Sequence, residues 1–92
     1  MTTEITRMKV LEAVLAERER QDSMWGDQTS NSDEHWMVIL TEEVGEVARE
    51  VYEKRSAGMF EEVVQCAAVA FAWAEAYLNR NYEKPGVSLD EG

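Results

Sequence analysis

The segment LTEEVGEVARE, residues 40–50, places Glu42, Glu43, Glu46 and Glu50 on one helical stretch. At 100° per residue from Trp36, the apolar Val47, Leu40, Val51 and Val44 fall at about 20°, 40°, 60° and 80°. Glu43, Glu50 and Glu46 fall at about −20°, −40° and −80°, beside or inside that stripe. Glu42 points further out. Burying an unpartnered carboxylate costs several kcal/mol, and two close together also repel. No Lys or Arg falls on this side of the helix. Two readings follow: a solvated acidic face, or a hard divalent cation held among the acids. Mg²⁺ takes oxygen ligands and keeps several waters, and Mn²⁺ is the near substitute. Glu43 and Glu46 stand one turn apart and can share such an ion. FEEVVQ adds Glu61 and Glu62, with Gln65 as a neutral oxygen donor one turn after Glu62. Acids in a helix's first turn also suit its dipole, so Glu61 and Glu62 carry both readings.

Other chemistries find little support. His35 is the sole histidine and Cys66 lies in an apolar run, so neither a Ser–His–Asp nor a Cys–His arrangement is available. There is no Gly-rich phosphate loop and no zinc-ligand spacing. Trp25 lies amid polar residues. It either stacks on a nucleobase, with Gln28 or Asp27 reading the base edge, or plugs the end of a bundle. Lys54 and Arg55 suit the negative end of a helix dipole and could also reach phosphates; Arg80 and Lys84 carry the same two readings. His35 and Trp36 read as cap and core, Met8, Met37 and Met59 as core, and Phe60, Phe71 and Trp73 as core or interface.

The elements that must position these residues are helical. Proline occurs once, at Pro85, and β-type alternation is absent. A first helix is expected from about Thr3 to Gln21, with Met8, Leu11 and Leu15 as its stripe and Val10 and Val14 widening it. Residues 22–33 read as a loop, long for so small a domain. Ser32 or Asp33 can cap a second helix over about 34–55. SAGM, residues 56–59, breaks it at Gly58. A third helix runs from about Phe60 to Asn79 and is apolar all round from Val63 to Ala74, with Gln65 its clearest polar residue. A hairpin centred near residue 57 would set Glu62 level with Tyr52 and leave Glu46 one to two turns away. Canted packing closes that gap, or Glu50 joins the site instead.

The fold class expected is all-α: a bundle of three main helices, with room for a short fourth near Asn79 to Lys84. Residues 1–82 form one domain and 83–92 a loosely ordered tail. A third helix with no polar face needs cover on every side, so a dimer or dimer of dimers is expected. The formal net charge of −10 argues against a nucleic-acid polymer or an anionic membrane as partner. VVQCAAVAFAWA, residues 63–74, is too short to cross a bilayer. A single cysteine and no signal-type apolar core in MTTEITRMKV lead to the expectation of a reducing, cytoplasmic setting.

EEVGE (Glu42 to Glu46), fifteen intervening residues and EVVQ (Glu62 to Gln65) resemble the all-α nucleoside triphosphate pyrophosphatases of MazG type, whose pattern is E-E-x-x-E, a spacer, then E-x-x-D. RERQDSMWGDQ, LTEEVGEVA and EEVVQCAAVAFAW, in that order, resemble the short MazG-like proteins of bacteria and phages, over roughly residues 10–78. The resemblance implies a Mg²⁺-dependent enzyme that cuts a nucleoside triphosphate between its α and β phosphates, giving monophosphate and pyrophosphate. It implies Glu43, Glu46 and Glu62 as metal ligands. Glu42 would orient the ligands or the attacking water, and Glu46 or Glu42 would take its proton. Gln65 stands where the family pattern has Asp and supplies oxygen without charge. Glu50 is a candidate for the missing charge. Two further classes stay open: a nucleotide- or metal-binding regulator without turnover, and an acidic helical interaction module.

Overall fold

The computed structural model describes residues 1–54 and 57–81. Among them it contains three helices and no strand: α1 (Thr3–Trp25), α2 (Asp33–Tyr52) and α3 (Met59–Asn81). Arg55, the tail from residue 83 and the end of the expected fourth helix lie outside the described residues; Asn79–Asn81 belong to α3 itself.

Each start has a local cause. Thr2 caps α1 by accepting from the Ile5 N–H, and Ser32 caps α2 by accepting from the His35 N–H. Helix α1 runs one turn past the expected end at Gln21. Asp22 pairs with Arg18 at i, i+4, which supports that turn. Gly26 is the residue that stops it: its backbone takes φ 72°, ψ −158°, and its N–H donates to the Asp22 carbonyl. The connection to α2 is therefore residues 26–32, shorter than its composition suggested, and Trp25 is the last residue of a helix rather than part of a loop.

Helix α3 lies between the other two. Both α1 and α2 pack on it, and among the described residues they do not pack on one another. Val64, Ala68, Ala72 and Ala76 recur every fourth residue and are all buried. This ridge of small side chains lets both neighbours approach closely. Trp36 of α2 packs with Val69, Ala72 and Ala76, flanked by Ile39, Leu40 and Trp73. Val14 of α1 packs with Val64 and Ala68. Asp33 ties the start of α2 to the end of α3, its Oδ1 accepting from Trp73 Nε1 at 2.9 Å and from Arg80 Nη2 at 2.6 Å.

Several expected core residues are not covered. Met8, Leu11 and Leu15 are all exposed, because α1 meets α3 through Ala13 and Val14. Met37 is exposed, while Met59 is half-buried. On α2, Val44 and Val51 are 51 % and 59 % exposed, whereas Ile39, Glu43 and Glu50 are half-buried. The inward face of α2 thus runs through Trp36, Ile39, Leu40, Glu43, Val47 and Glu50, with Val44 and Val51 turned out. The radius of gyration, 15.1 Å, exceeds the roughly 12 Å of a closely packed chain of this length. Two helices leaning on a third, with a cleft between them, account for the difference.

Candidate metal centre and the adjoining cleft

Helix boundaries explain how acids from two elements meet. The α2–α3 connection is centred midway between Tyr52 and Met59, not at residue 57. Counting outward from there sets Gln65 level with Glu46 and Glu62 level with Arg49. Glu46 and Glu62 are then about one turn, or 4–5 Å, apart along the axis, within reach of glutamate side chains. Glu43, Glu46 and Glu62 each offer a carboxylate oxygen within 4.8 Å of the other two. Glu43 and Glu62 are half-buried and Glu46 is exposed. One oxygen of Glu43 and one of Glu62, Oε2 in each case, is sealed from solvent with no hydrogen-bond partner among the described residues.

The electrostatics follow from this crowding. Burial, then the charges of Glu46 and Glu62, pushes the Glu43 carboxyl above its ordinary range. Burial, then Glu46, does the same to Glu62, and Glu50 and Glu61 add to it. Such a site favours protons or a cation. An oxygen-only donor set with buried, unpaired oxygens fits a hard divalent ion, which is smaller than a water molecule and can sit between oxygens that water cannot reach.

The remaining candidates spread outward. Glu42 is exposed and lines the cleft beside Glu43. Gln65 is half-buried one turn past Glu62. The Glu50 carboxylate lies against Gly58, its Oε2 3.6 Å from where a Cβ there would be, and is not one of the three converging acids. Cys66 is half-buried, and burial, then Glu43, raises its thiol, which suits packing rather than nucleophilic work. Lys54, exposed with φ 57°, follows the end of α2 and does not line the cleft.

A cleft of about 610 Å³ opens between α1 and α2 above α3. Its apolar floor is Ile39, Val69 and Ala72, and Glu42 and Glu43 stand at its border with the acidic group. Trp25, 48 % exposed, and Gln28 line it, as does Asp27, which is held by Thr29. Gln28 accepts from Asn31 Nδ2 at 3.3 Å.

Helix α1 contributes residues to which the sequence reading gave no role. Arg18 Nε donates to Glu75 at 2.9 Å, Nη2 to Asp22 at 3.0 Å and Nη1 to Gln21 at 3.2 Å, joining α1 to α3 inside the cleft. Gln21 is buried. Glu17 is gripped by Arg20 through both oxygens, at 2.8 and 2.7 Å; that grip holds its carboxyl below the ordinary range. Its charge also helps to raise the Glu43 carboxyl. The signal was available: Val14, Glu17, Gln21 and Trp25 follow helical spacing on one face, an apolar stripe that turns polar where it lines the cleft.

Among the described residues no helix is long and apolar enough to cross a membrane. Comparison of the chain with family models, curated proteins and solved structures finds no match.

Proposed function

We propose that the chain is a Mg²⁺-dependent nucleoside triphosphate pyrophosphohydrolase of the MazG-like kind. The observation that carries this reading is the convergence of Glu43, Glu46 and Glu62, with two of their oxygens buried and unpaired. Glu43, Glu46 and Glu62 would hold Mg²⁺ or Mn²⁺, with Gln65 level with Glu46 as a neutral oxygen donor. When bound, the ion supplies charge to offset the polyphosphate and acidifies a water. Glu42, exposed where it lines the cleft beside Glu43, or Glu46 would accept the proton of the attacking water. Trp25 offers a stacking face and Gln28 a hydrogen-bonding edge to the base. Lys54, and Arg55 next to it in sequence, would meet the phosphate tail.

A homodimer or dimer of dimers belongs to this proposal. The exposed Met8, Leu11 and Leu15 of α1 and Val44 and Val51 of α2 support it. So does the open shape. Light scattering at micromolar concentration should give a multiple of the 10.5 kDa chain mass. A reducing cytoplasmic setting, expected from a single cysteine, belongs to the proposal as well.

The test is a panel of nucleoside triphosphates with Mg²⁺, scored for pyrophosphate. Release that needs metal and disappears in Glu43→Gln supports the reading; orthophosphate release, or no turnover with any base, overturns it. One observation favours a second reading. Gln65 lowers the charge of the site by one relative to an Asp, which suits a binding protein that takes metal and nucleotide without turnover. Metal-linked thermal stabilisation with no product identifies that case.

A further inference from the structure

Trp36 lies in the first turn of α2, its backbone N–H donating to the Ser32 carbonyl at 3.0 Å. Its side chain is 4 % exposed and packs on Val69, Ala72 and Ala76 while lining the cleft. Its indole N–H is sealed from solvent and has no acceptor among the described residues. Trp73, by contrast, donates its N–H to Asp33. A buried donor without an acceptor is costly, and a phenylalanine would fill an apolar wall without that cost. The cleft is otherwise rich in carboxylates: Asp22, Asp27, Glu42, Glu43 and Glu75 line it. Carboxylates repel a ligand's carbonyl oxygens and lone-pair nitrogens, and Trp36 adds a buried donor to the more exposed ones of Trp25, Gln28 and Asn79.

We propose that the Trp36 indole N–H is a specificity-determining donor for a planar heteroaromatic ring. A carbonyl oxygen or unprotonated nitrogen on the edge of a nucleobase takes this hydrogen bond. In the ligand-free arrangement the nitrogen is covered, so the ring reaches it by displacing a side chain of the cleft wall. The floor of Ile39, Val69 and Ala72 supplies the flat apolar surface that such a ring needs. The inference rests on the cleft being the nucleotide site, and it names the atom that reads the base.

The test uses the full chain in EDTA and phosphate-free nucleosides: adenosine, guanosine, cytidine and uridine, with a benzene C-riboside as the ring without acceptors. Indole proton–nitrogen spectra separate Trp25, Trp36 and Trp73. At least one nucleoside should move the Trp36 indole proton downfield, and the benzene riboside should not. Replacing Trp36 by benzothienylalanine exchanges the N–H for sulfur and keeps the shape. It should weaken that nucleoside about tenfold, with the urea midpoint unchanged or raised. No shift with any nucleoside, an equal shift with the benzene riboside, or unchanged affinity in the isostere overturns the proposal. So does a lowered urea midpoint, which would mean that the N–H is bonded within the chain. Because phosphate and metal are absent, failure here leaves the carboxylate centre standing. A positive titration without Mg²⁺-dependent pyrophosphate release removes the enzyme and keeps the ring site.

Discussion

Glu43 of α2 and Glu62 of α3 face one another across a helix–helix interface, each with an oxygen buried and unpaired, while Val44, the residue next to Glu43, stands half exposed. An arrangement that turns like charges inward and a valine outward opposes both the hydrophobic effect and Coulomb repulsion. It becomes favourable when a divalent cation sits between the acids. Wild-type protein should therefore be stabilised by Mg²⁺, by about 2.7 kcal/mol at a hundredfold excess over Kd. That corresponds to a Tm rise of roughly 10–20 °C for a chain of this size. Glu43→Gln and Glu62→Gln should each raise Tm in EDTA and lose most of the Mg²⁺ increment. Thermal melts with and without Mg²⁺ check both signs. If the variants melt lower than wild type in EDTA, the acids stabilise the fold without metal and the centre is structural.

The same two groups set a pH dependence. Folding raises the Glu43 and Glu62 pKa values, so the folded chain binds more protons than the unfolded one between the ordinary carboxylate range and the raised values. Stability in EDTA should then fall as pH rises through that window. Glu17, Asp27 and Asp33 are shifted the other way by Arg20, Thr29 and Arg80 respectively, so their contribution is lost as pH falls through their lowered values. A stability maximum in the mildly acidic range is expected. Urea midpoints against pH should show it, and the Glu43→Gln, Glu62→Gln double variant should flatten only the high-pH limb.

Asp33 tests how α2 is fastened. Its Oδ1 receives both Trp73 and Arg80 from the far end of α3. Asp33→Asn keeps an oxygen but removes the charge that Arg80 uses. The expected result is a modest drop in Tm, a red shift of Trp73 emission, and smaller differences from wild type at high salt. Arg80→Gln should reproduce the salt effect while leaving the Trp73 bond in place.

The helices were legible because their period, caps and breakers are local properties of the chain. Ser32 before Asp33 and Gly26 after α1 identify themselves by residue type; the end of α2 does not, since it falls at Tyr52, ahead of a positive φ at Lys54, and Gly58 stands at the start of α3 instead. The acidic pair of motifs was legible because three glutamates on a buried stripe conflict with any ordinary core. What the sequence hid was the rotation of α2. Wheel positions alone set Val44 and Val51 in one stripe with Glu43 and Val47, and only the partner helix decides that the first two turn outward while the last two are half-buried. Ala72 and Ala76 pack against Trp36 near the start of α2, while Ala68 packs against Val14 of α1. The covering of Met8 and Leu11 was misjudged for a related reason: an apolar stripe shows that cover is needed, not that the same chain supplies it. The contact of Arg18 with Glu75 joins residues 57 apart, which no local pattern encodes, whereas Gln21 shares a helical face with Val14 and Trp25.

Gly26 and Gly45 separate backbone conformation from packing. A Cβ on either would meet no heavy atom within 4 Å. Their backbones differ: Gly26 has φ 72°, ψ −158°, a region close to glycine-only, whereas Gly45 lies inside α2. Gly26→Ala should destabilise by about 1–3 kcal/mol through backbone strain alone. It should also shift Trp25 emission, since Trp25 precedes the strained residue at the mouth of the cleft. Gly45→Ala should stabilise by about 0.5–1 kcal/mol, as for any exposed mid-helix glycine. Urea unfolding of the two variants, at protein concentrations spanning the assembly equilibrium, checks both. Should Gly45→Ala destabilise only where the chain self-associates, the face of α2 carrying Gly45 is covered by another copy, and the open space beside it belongs to the single chain alone.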